Sequence, residues 1–573
     1  EPGPENKFYE SIFRLVRMRR TLTYLIPAGL LWMLIPFGLK AQQAYRELFW
    51  GPRETVRAEW SVAGESRFAA ILPAMEKQVR INADDSISDL LYMGILKPRK
   101  VSSHILDLKW GKTSIKLDPL IDLYAGVEVK GNGITGGGGL GLKTAVDAGK
   151  SFSAGGYVRF NQTSLPAALN EKVKATRVLP AMGYAHRSAL GGYYSWDGAG
   201  WINYNFLRHF NVEAGMGRNF WGDGYRSFFI SDGSFSYPYI KITTSVWKIK
   251  YVNLYAQMKD MRMTSSGRWD QMRTKYGSFH FLSWDIHKRV NIGFFEAIIW
   301  QAGDSVSKRG FDVNYINPFI FYRPVEFAIG SPDNSLMGVS LKVKVGRKNF
   351  FYGQFLMDDI IIGEFSSGSV NRIRQWFGSA DSGDVYGYWT NKQAWQLGFS
   401  AYDIFGLKGM GVQAEYNAAR PYTYSHRLSN VNYAHYNEPL AHPAGANFSE
   451  FLFFIRYHHK RWYSEVQFMW LQQGRDSAGT HFGADIFQST FDSYFPELDN
   501  VPVQQYYNSI GQGIRSLTLY GALRAACIIN PAMNLRAEAE LSFRNQKVAA
   551  SDSWGLFFMV GIRTSAFGWR TDR

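Results

Sequence analysis

Cysteine is nearly absent from this chain: Cys527 is the only one among 573 residues. One cysteine forms neither an internal disulfide nor a CxxC metal or redox pair, so Cys527 is expected to be a small apolar filler on a strand. The sequence also lacks the GxSxG and HExxH motifs of hydrolases and zinc proteases. Glycine-rich stretches such as Gly136–Gly141 precede no βαβ unit, which excludes a dinucleotide site. No cofactor is expected. The sequence shows no repeat of fixed period, which argues against a propeller or a solenoid.

The apolar run Leu22–Leu39 has the composition of a secretory signal. It follows Arg19 and Arg20 and ends close to the small residue Ala41. These features predict a signal peptide over residues 18–41, with residues 1–17 as an upstream extension outside the mature protein. The alternative is an uncleaved anchor helix, because the run is close to the minimum length that spans a bilayer.

From residue 113 onward the hydrophobic pattern has a period of two, which is typical of half-buried strands. Between Leu535 and Arg544, for example, apolar residues alternate with Arg, Glu and Ser. An Arg that faces hydrocarbon at mid-depth costs about 2–4 kcal/mol, so the polar face must line an aqueous or internally paired lumen. The mean hydropathy of −0.23 fits such a protein, because only half of each strand faces lipid.

Short and long connections alternate along this region. Hairpins are predicted around residues 247–250, 346–349 and 459–461, and long loops over 364–388 and 422–449. Short turns on one side and long loops on the other are typical of outer-membrane barrels. The sequence therefore predicts an all-β fold, an antiparallel outer-membrane β-barrel of about 16–18 strands over residues 113–573. Aromatic residues near strand ends predict interfacial girdles: Tyr193, Tyr194, Trp196 and Trp201.

Residues 42–112 differ in kind from the barrel region. Short helices are predicted over residues 66–79 and 84–93, where apolar residues recur at helical spacing. We expect this N-terminal segment either to stay in the periplasm or to enter the barrel as a plug.

The net charge of +16 favours anionic partners. The basic residues are scattered among strands rather than collected into a stripe or a helix, which argues against nucleic acid. The expected partners are outer-membrane lipids, lipopolysaccharide phosphates and acidic polysaccharide.

Four groups of motifs follow one another along the barrel region: Asn219–Ser227 with Ser231 and Asp232, Arg309–Pro318, Arg420–His426, and Leu440–Pro443 with Gly445–Asn447. In order and spacing they resemble the capsule-assembly Wzi-like family, in particular its branch from gliding bacteria of the Bacteroidota, often labelled RemB-like gliding motility protein. The resemblance implies a surface-exposed outer-membrane barrel with an N-terminal helical part. In capsule systems such a barrel binds exported polysaccharide and holds it on the cell, and in the gliding branch it serves surface motility.

The stretch Gly217–Met258 contains the first group of motifs and the main candidate site. Trp221 and Tyr225 offer aromatic faces for sugar rings, and Arg226 offers a guanidinium for uronate or phosphate groups. The alternative is structural: the glycines let the loop fold into the lumen, where its Asp223 and Asp232 pair with Arg residues. The full set of candidate ligand-binding residues is Trp221, Tyr225, Arg226, Arg323, Tyr424, His426 and His442.

Histidines and carboxylates elsewhere give weak catalytic or metal signals. His426, His435 and His442 lie in one long loop, but their spacing matches no zinc pattern, so hydrogen bonding that orders the loop or contact with a sugar is favoured over metal. Asp358 and Asp359 suggest the acid and base of a glycosidase, yet no second carboxylate is placed opposite them. They are better explained as a turn at a strand end, and we expect no enzyme.

The leading hypothesis is a non-enzymatic surface barrel that binds or anchors polysaccharide or adhesive components in capsule assembly or gliding. Two alternatives remain open. One is a porin-like channel, because a barrel of this size can hold water. The other is a structural partner in a secretion or motility complex.

Overall fold

The computed structural model describes residues 71–72, 104–131, 133–149, 151–207, 209–262, 264, 267–303, 309–318, 333–346, 348–359, 362–376, 385–477, 480–490, 494–495, 501–502, 505–530, 533–564 and 572. The proposed upstream extension, signal peptide and most of residues 42–112 lie outside these ranges, as does Arg323.

Eighteen long antiparallel strands form the barrel. In chain order they are β1 (Thr113–Val129), β2 (Gly133–Ala148), β3 (Phe152–Thr163), β4 (Tyr193–Phe206), β5 (Phe210–Gly217), β6 (Tyr237–Val246), β7 (Ile249–Asp260), β8 (Arg273–His287), β9 (Val290–Gln301), β10 (Asn334–Val345), β11 (Asn349–Met357), β12 (Gln393–Tyr402), β13 (Met410–Ala419), β14 (Phe448–His459), β15 (Trp462–Arg475), β16 (Ile514–Asn530), β17 (Leu535–Val548) and β18 (Ser551–Arg563).

Each strand pairs with its neighbour in the chain, and the last pairs with the first. The closing register runs from Leu556 opposite Val129 to Arg563 opposite Asp122. Closure leaves the sheet with no open edge, so the backbone polar groups of the strands are satisfied within a bilayer. The predicted all-β closed barrel is confirmed, with 18 strands at the upper end of the expected range.

Alternation along the strands separates a lipid face from a lumen face. On β16, Leu523 points outward and is 53% exposed, whereas the neighbouring Arg524 points inward and is 1% exposed. On β17 the predicted polar face is also inward, and Glu538 and Glu540 are buried there. Alternation also corrects one prediction, that of a girdle residue at Trp201. Trp196 lies on the lipid face, but Trp201 is five positions farther along the strand and is therefore buried on the lumen side.

The two ends of the barrel differ in the length of their connections. Turns 247–248, 288–289 and 460–461 join strands at one end, and Trp247 and Lys460 adopt the positive φ that such tight hairpins require. The other end has the long loops 164–192, 218–236, 302–333, 358–392, 420–447 and 476–513. Long loops face the cell exterior in outer-membrane barrels, so we call this the outer end.

Among the described residues, two α-helices lie in the outer loops: α1 (Ala167–Thr176) in loop 164–192 and α2 (Ile362–Trp376) in loop 358–392. The same described ranges contain 3₁₀ turns at Trp269–Gln271, Val313–Ile316, Ile404–Gly406 and Ser429–Val431. Within the described residues, no helix combines the length and hydropathy needed to cross a bilayer.

The remaining strands are short. They are Leu106–Trp110, which pairs with the start of β1, and Ile71–Leu72, Val178–Leu179, Gly183–Tyr184, His186–Arg187, Phe220–Trp221, Ala434–His435, Glu438–Pro439, Tyr494–Phe495 and Val501–Pro502. The predicted helix over 66–79 is wrong at Ile71–Leu72, because this pair forms a strand against Phe220–Trp221. Pairing with another segment has overridden the local helical pattern there.

Candidate functional site

The loop between β5 and β6, residues 218–236, folds back into the barrel; we call it the lumen loop. Its Trp221 and Phe220 pair with Ile71 and Leu72, and Trp221 also forms a β-bridge to Ile230. Gly222 has φ +149°, and a Cβ built on it lies 2.4 Å from Gln354 Nε2, so only glycine fits this turn. Glycine therefore allows the inward fold, as the structural interpretation of the sequence predicted.

The lumen loop touches eight consecutive strands, β8 to β15. Its partners on the wall, in strand order, are Phe281, Phe295, Lys342, Gln354, Gln396, Glu415, Glu450 and Met469. Asp223 pairs with Lys342 at 2.6 Å. Asp232 interacts electrostatically with Arg218, as the sequence suggested for this residue type.

Aromatic side chains build an apolar core inside the lumen. Phe229 stacks on Phe295 of β9 with ring centroids 4.5 Å apart. The second long loop, residues 420–447, closes over this core: Tyr424 Oη donates to the Phe228 carbonyl at 2.9 Å, and Tyr433 Oη donates to the Phe229 carbonyl at 2.6 Å. The two loops and the wall thus pack as one interior, with burial of the kind found in a soluble protein core.

A buried ionic network lies beside the core. Arg226 donates from Nη2 to Glu450 Oε1 at 3.1 Å and to the carbonyl of Asp572 at 3.2 Å. Tyr225 Oη donates to Asp572 Oδ2 at 2.8 Å, and the backbone N–H groups of Tyr225 and Arg226 both donate to Glu415. Since all these groups are buried, each charge depends on its partner.

The loop histidines act as hydrogen-bond acceptors. In each case Nδ1 receives a backbone N–H: His426 from Leu428, His435 from Lys259 and His442 from Ala444. Burial lowers the pKa of all three, to about 4 for His426 and about 3 for His435. The neutral His442 therefore carries its proton on Nε2, which donates to Glu450 at 2.8 Å.

The paired aspartates after β11 also have structural partners. Asp358 accepts the backbone N–H of Tyr424 at 2.6 Å, and Asp359 pairs with Lys392 at 3.0 Å. Within the described part of the chain, no cluster of three or more His, Cys, Asp or Glu side chains is arranged to hold a metal ion.

Helix α1 lies over the outer end of the barrel and borders its cavities. It starts after Pro166, whose extended backbone ends the preceding segment, and the N–H of Ala167 donates to Glu128 Oε2 of β1 at 2.8 Å. Leu169 and Val173, one turn apart, anchor the helix in a small apolar cluster. A carboxylate at a helix N-terminus is favourable, so Glu128 fixes α1 to the wall.

Two cavities that border α1 share part of their lining; together we call them the α1 cleft. The first, of about 380 Å³, lies among α1, the two lumen-filling loops and the ends of β14 to β17. The second, of about 250 Å³, lies among α1, β1 and β16 to β18. Ala168, Glu171, Arg544 and Gln546 line both cavities.

The cleft combines cationic and aromatic groups. Arg226, Arg475 and Arg544 line the larger cavity, and Trp554 lines the smaller one with Lys130 Nζ 4.4 Å from its ring centroid. Such a combination suits polar ligands that also present an apolar face.

The predicted site residues are divided by the structure into three groups. Arg226 and His442 line the larger cavity of the cleft. Trp221, Tyr225 and Tyr424 are buried in the lumen, where their aromatic faces contact protein rather than solvent. His426 is half-buried in the outer loops, and Arg323 lies outside the described residues.

Arg475, Gln546 and Trp554 were missed as ligand candidates. The sequence did mark Arg544 as lumen-facing through the alternation of β17. The same alternation identifies Arg475 on β15 and Gln546 on β17 as inward positions. Trp554 has the outward parity of Phe558 on β18 and borders the smaller cavity at the outer end of that strand. The position of α1 above these residues is set by tertiary contacts.

No protein-family model matches this chain, and no curated protein sequence matches it. Solved structures do match. Wzi, an outer-membrane protein involved in group 1 capsule assembly in Escherichia coli and a carbohydrate-binding β-barrel, aligns with a TM-score of 0.51 at 12% identity, over 91% of this chain and 99% of Wzi.

Two other solved structures align with lower TM-scores. OprD of Pseudomonas aeruginosa has a TM-score of 0.38 at 9% identity, over 78% of this chain and 94% of its own. OccK1 (OpdK) of the same organism has a TM-score of 0.41 at 9% identity, over 78% of this chain and 98% of its own. At these identities the likeness shows the fold alone, which is that of a closed outer-membrane β-barrel.

Proposed function

We propose that this chain is a non-enzymatic outer-membrane protein that binds or anchors polysaccharide at the cell surface. The observation that carries the proposal is the filled lumen: the lumen loop contacts eight consecutive strands and builds a packed core with loop 420–447. A barrel whose interior is occupied by its own outer loops is suited to presenting a surface rather than to passing solutes.

Two further findings support polysaccharide as the partner. Wzi, which shares the fold over nearly the full length of both chains, is a carbohydrate-binding barrel of capsule assembly. The α1 cleft at the outer end offers guanidinium, amide and aromatic groups together, as sugar binding requires. An acidic polysaccharide matches the net charge of +16.

The biological setting belongs to the same proposal. Export by the signal peptide at 18–41 delivers the barrel to the outer membrane of a Gram-negative cell, where it contacts lipid and lipopolysaccharide. The motif resemblance assigns it to capsule attachment or, in the gliding branch, to surface motility with secretion or motility proteins as partners. The pairing of Ile71–Leu72 with the lumen loop supports a plug role for residues 42–112.

Single-channel conductance in planar bilayers tests whether binding or transport is the main function. We expect no conductance from the full chain. Conductance by a variant without residues 42–110 would show that this segment helps to close the barrel. Steady conductance by the full chain would replace the proposal with a porin-like transporter.

Retention of surface polysaccharide tests the binding function itself. Cells without the protein are expected to release acidic polysaccharide into the medium, and the full chain supplied in trans is expected to restore its cell-bound fraction. Unchanged retention in the deletion strain would favour the structural role in a motility or secretion complex.

A further inference from the structure

Two arginines in the α1 cleft stand out because, among the described residues, no carboxylate is in direct contact with either; Asp572 attracts Arg544 only over a longer distance. Arg475 is the last residue of β15, and Arg544 faces it from β17. Within the described residues, no hydrogen bond or ion pair is formed by either guanidinium, and Arg544 Nε is buried without an acceptor. Buried or half-buried charges of one sign repel each other, so this pair favours an incoming anion.

The acidic groups of the same cavity are already engaged. Glu450 accepts from Arg226 and His442, Asp572 accepts from Tyr225 and Arg226, and Glu171 pairs with Lys174 at 2.7 Å. These carboxylates are hydrogen-bonded to other donors, so the N–H groups of Arg475 and Arg544 remain for a ligand.

The carboxylate of Asp572 is bound by several donors in the larger cavity. Its Oδ2 accepts from Tyr225 Oη at 2.8 Å and from Gln467 Nε2 at 3.0 Å, and lies 3.3 Å from Arg226 Nη2. One wall of the cavity is thus a formed carboxylate site that the chain itself fills. Arg475 and Arg544 offer the same donor chemistry on the side toward α1, where no described carboxylate forms a hydrogen bond or ion pair with either guanidinium, although Asp572 attracts Arg544 from farther away.

The surroundings of the arginine pair suit a sugar better than a simple anion. Gln473, Ser516 and Thr518 add amide and hydroxyl groups in the larger cavity. Beyond Arg544 and Gln546, the smaller cavity is lined by Trp554, which is 40% exposed and carries Lys130 Nζ 4.4 Å from its ring centroid. Cavities of this size enclose a short saccharide segment, with charged groups to orient it and an aromatic face for a ring.

From this arrangement we infer that the α1 cleft binds an anionic saccharide, with the acid group of one sugar between Arg475 and Arg544 and a neighbouring ring against Trp554. The inference rests on the proposed polysaccharide-binding function and specifies its site and ligand class. Arg226 and His442 are the floor of this site and are held by their own buried partners.

Calorimetric titration of the full chain in detergent with trigalacturonate tests the inference. The neutral comparison ligand is the methyl ester of the same trisaccharide, and inorganic sulfate is the small-anion comparison. Arg475→Gln and Arg544→Gln are each expected to weaken trigalacturonate binding about tenfold or more, because each removes a charge-assisted contact. Arg544→Lys is expected to keep part of the affinity.

Arg515→Gln is the matched control, because Arg515 is an exposed arginine at the outer end of β16 that does not line the cleft. Its affinity for trigalacturonate is expected to stay within about twofold of the parent. Trp554→Ala is expected to weaken the trisaccharide but not sulfate. Heat-modifiable gel migration confirms that each variant is a folded barrel.

Three results would overturn the inference. If the parent chain binds the acid and its ester equally, or binds neither, an anionic saccharide is excluded as the ligand. Unchanged affinity in both arginine variants moves the site elsewhere. Sulfate that competes as well as the trisaccharide reduces the cleft to an anion site. In each case the polysaccharide retention experiment still decides the proposed function separately.

Discussion

Arg226 connects the lumen loop to the wall and to Asp572, and its substitution is the most informative test of the buried network. Arg226→Met leaves Glu450 and Asp572, 1% and 2% exposed, without their shared cation. Uncompensated buried charges of this kind cost about 3–5 kcal/mol. We expect the free energy of unfolding, measured by urea denaturation in lipid vesicles, to fall by about that amount.

Two controls identify the origin of this loss. Arg515→Met removes an exposed arginine and is expected to change the unfolding free energy by less than about 0.5 kcal/mol. Adding Glu450→Gln to Arg226→Met neutralises one stranded carboxylate and should recover part of the stability. Parent-like unfolding of Arg226→Met would mean that water, rather than the guanidinium, solvates these carboxylates.

The loop histidines make stability depend on pH. The folded-state pKa of His435 is lowered to about 3, chiefly by burial and then by Lys275, whereas an unfolded histidine titrates near 6.5. Below pH about 6.5 this histidine is therefore protonated in the unfolded state but stays neutral in the folded state. The unfolding free energy is expected to decrease as the pH falls from 6.5 to 5, by up to about 1.4 kcal/mol per pH unit for each such histidine.

His435→Asn separates this effect from that of other groups. Asparagine keeps an acceptor for the N–H of Lys259 but does not titrate, so urea midpoints of the variant should vary less between pH 6.5 and 5. His459→Asn, at an exposed position beside the turn 460–461, should keep the parental slope. An identical slope in His435→Asn and the parent would contradict a neutral buried His435.

At the scale of elements, the turn at Gly222 decides whether the lumen loop can enter the barrel. Gln354 accepts the N–H of Phe228 at 2.8 Å and donates to the Trp221 carbonyl at 3.1 Å. Gly222→Ala places a methyl group against Gln354 and strains a backbone with φ +149°. We expect about 1–3 kcal/mol of local destabilisation, seen as faster hydrogen exchange in peptides from residues 220–236.

Gly346→Ala is the control for backbone strain alone. Gly346 has φ +70° in a turn at the opposite end, and no atom lies within 4 Å of a Cβ built there. Its substitution should lower overall stability modestly and leave exchange in 220–236 unchanged. Equal hydrogen-exchange rates in residues 220–236 of the two variants would contradict a role for Gln354 in holding the loop.

The elements that sequence predicted best are those with a local cause. Alternation and turn residues predicted the strands on either side of Trp247 and the inward face of β17, since side-chain direction in a strand depends only on position. The inward fold of loop 218–236 was predicted only as one of two alternatives. Its contacts with Phe295 and Gln354 come from strands far along the chain, and no local pattern encodes such pairings.

The candidate site was harder to predict for the same reason. Aromatic and charged residues such as Trp221 and Tyr424 looked like sugar ligands, because the sequence does not show that they form a core. The role of α1 depends on Glu128, 39 residues before Ala167, which accepts its first N–H. A cleft assembled from β1, α1 and β15 to β18 has no signature in any one segment.

At the scale of the whole molecule, ion pairs between neighbouring strands begin at β14 and β15, the last strands that the lumen loop contacts, and continue around the wall beyond them. Arg456 of β14, Glu465 of β15, Arg524 of β16 and Glu540 of β17 form a chain of contacts 2.6–2.8 Å long. Farther round, Arg563 of β18 pairs with Asp122 of β1, and Arg159 of β3 with Asp197 of β4. These pairs join neighbouring strands of the wall independently of the loop, so the wall is expected to keep its form without it.

This independence of the wall leads to a prediction about transport. Replacing residues 219–236 by a short Gly-Ser linker removes the contacts to β8–β15 while the wall ion pairs remain. The barrel is then expected to conduct steadily in planar bilayers, whereas the parent is silent. Without Arg226, Glu415 loses a backbone N–H donor and Glu450 loses a guanidinium donor, and both carboxylates face the opened lumen. The current should therefore favour cations.

The carboxylates supply the internal control for that preference. In the linker variant, Glu415→Gln with Glu450→Gln should keep the conductance but reduce the selectivity for cations, because the lumen loses two of its negative charges. A linker variant that stays silent would show that another segment closes the barrel, and residues 42–110 would be the next to remove. Conductance with anion preference would instead mean that Arg475 and Arg544 control the pore, in agreement with the absence of a described carboxylate in direct contact with them.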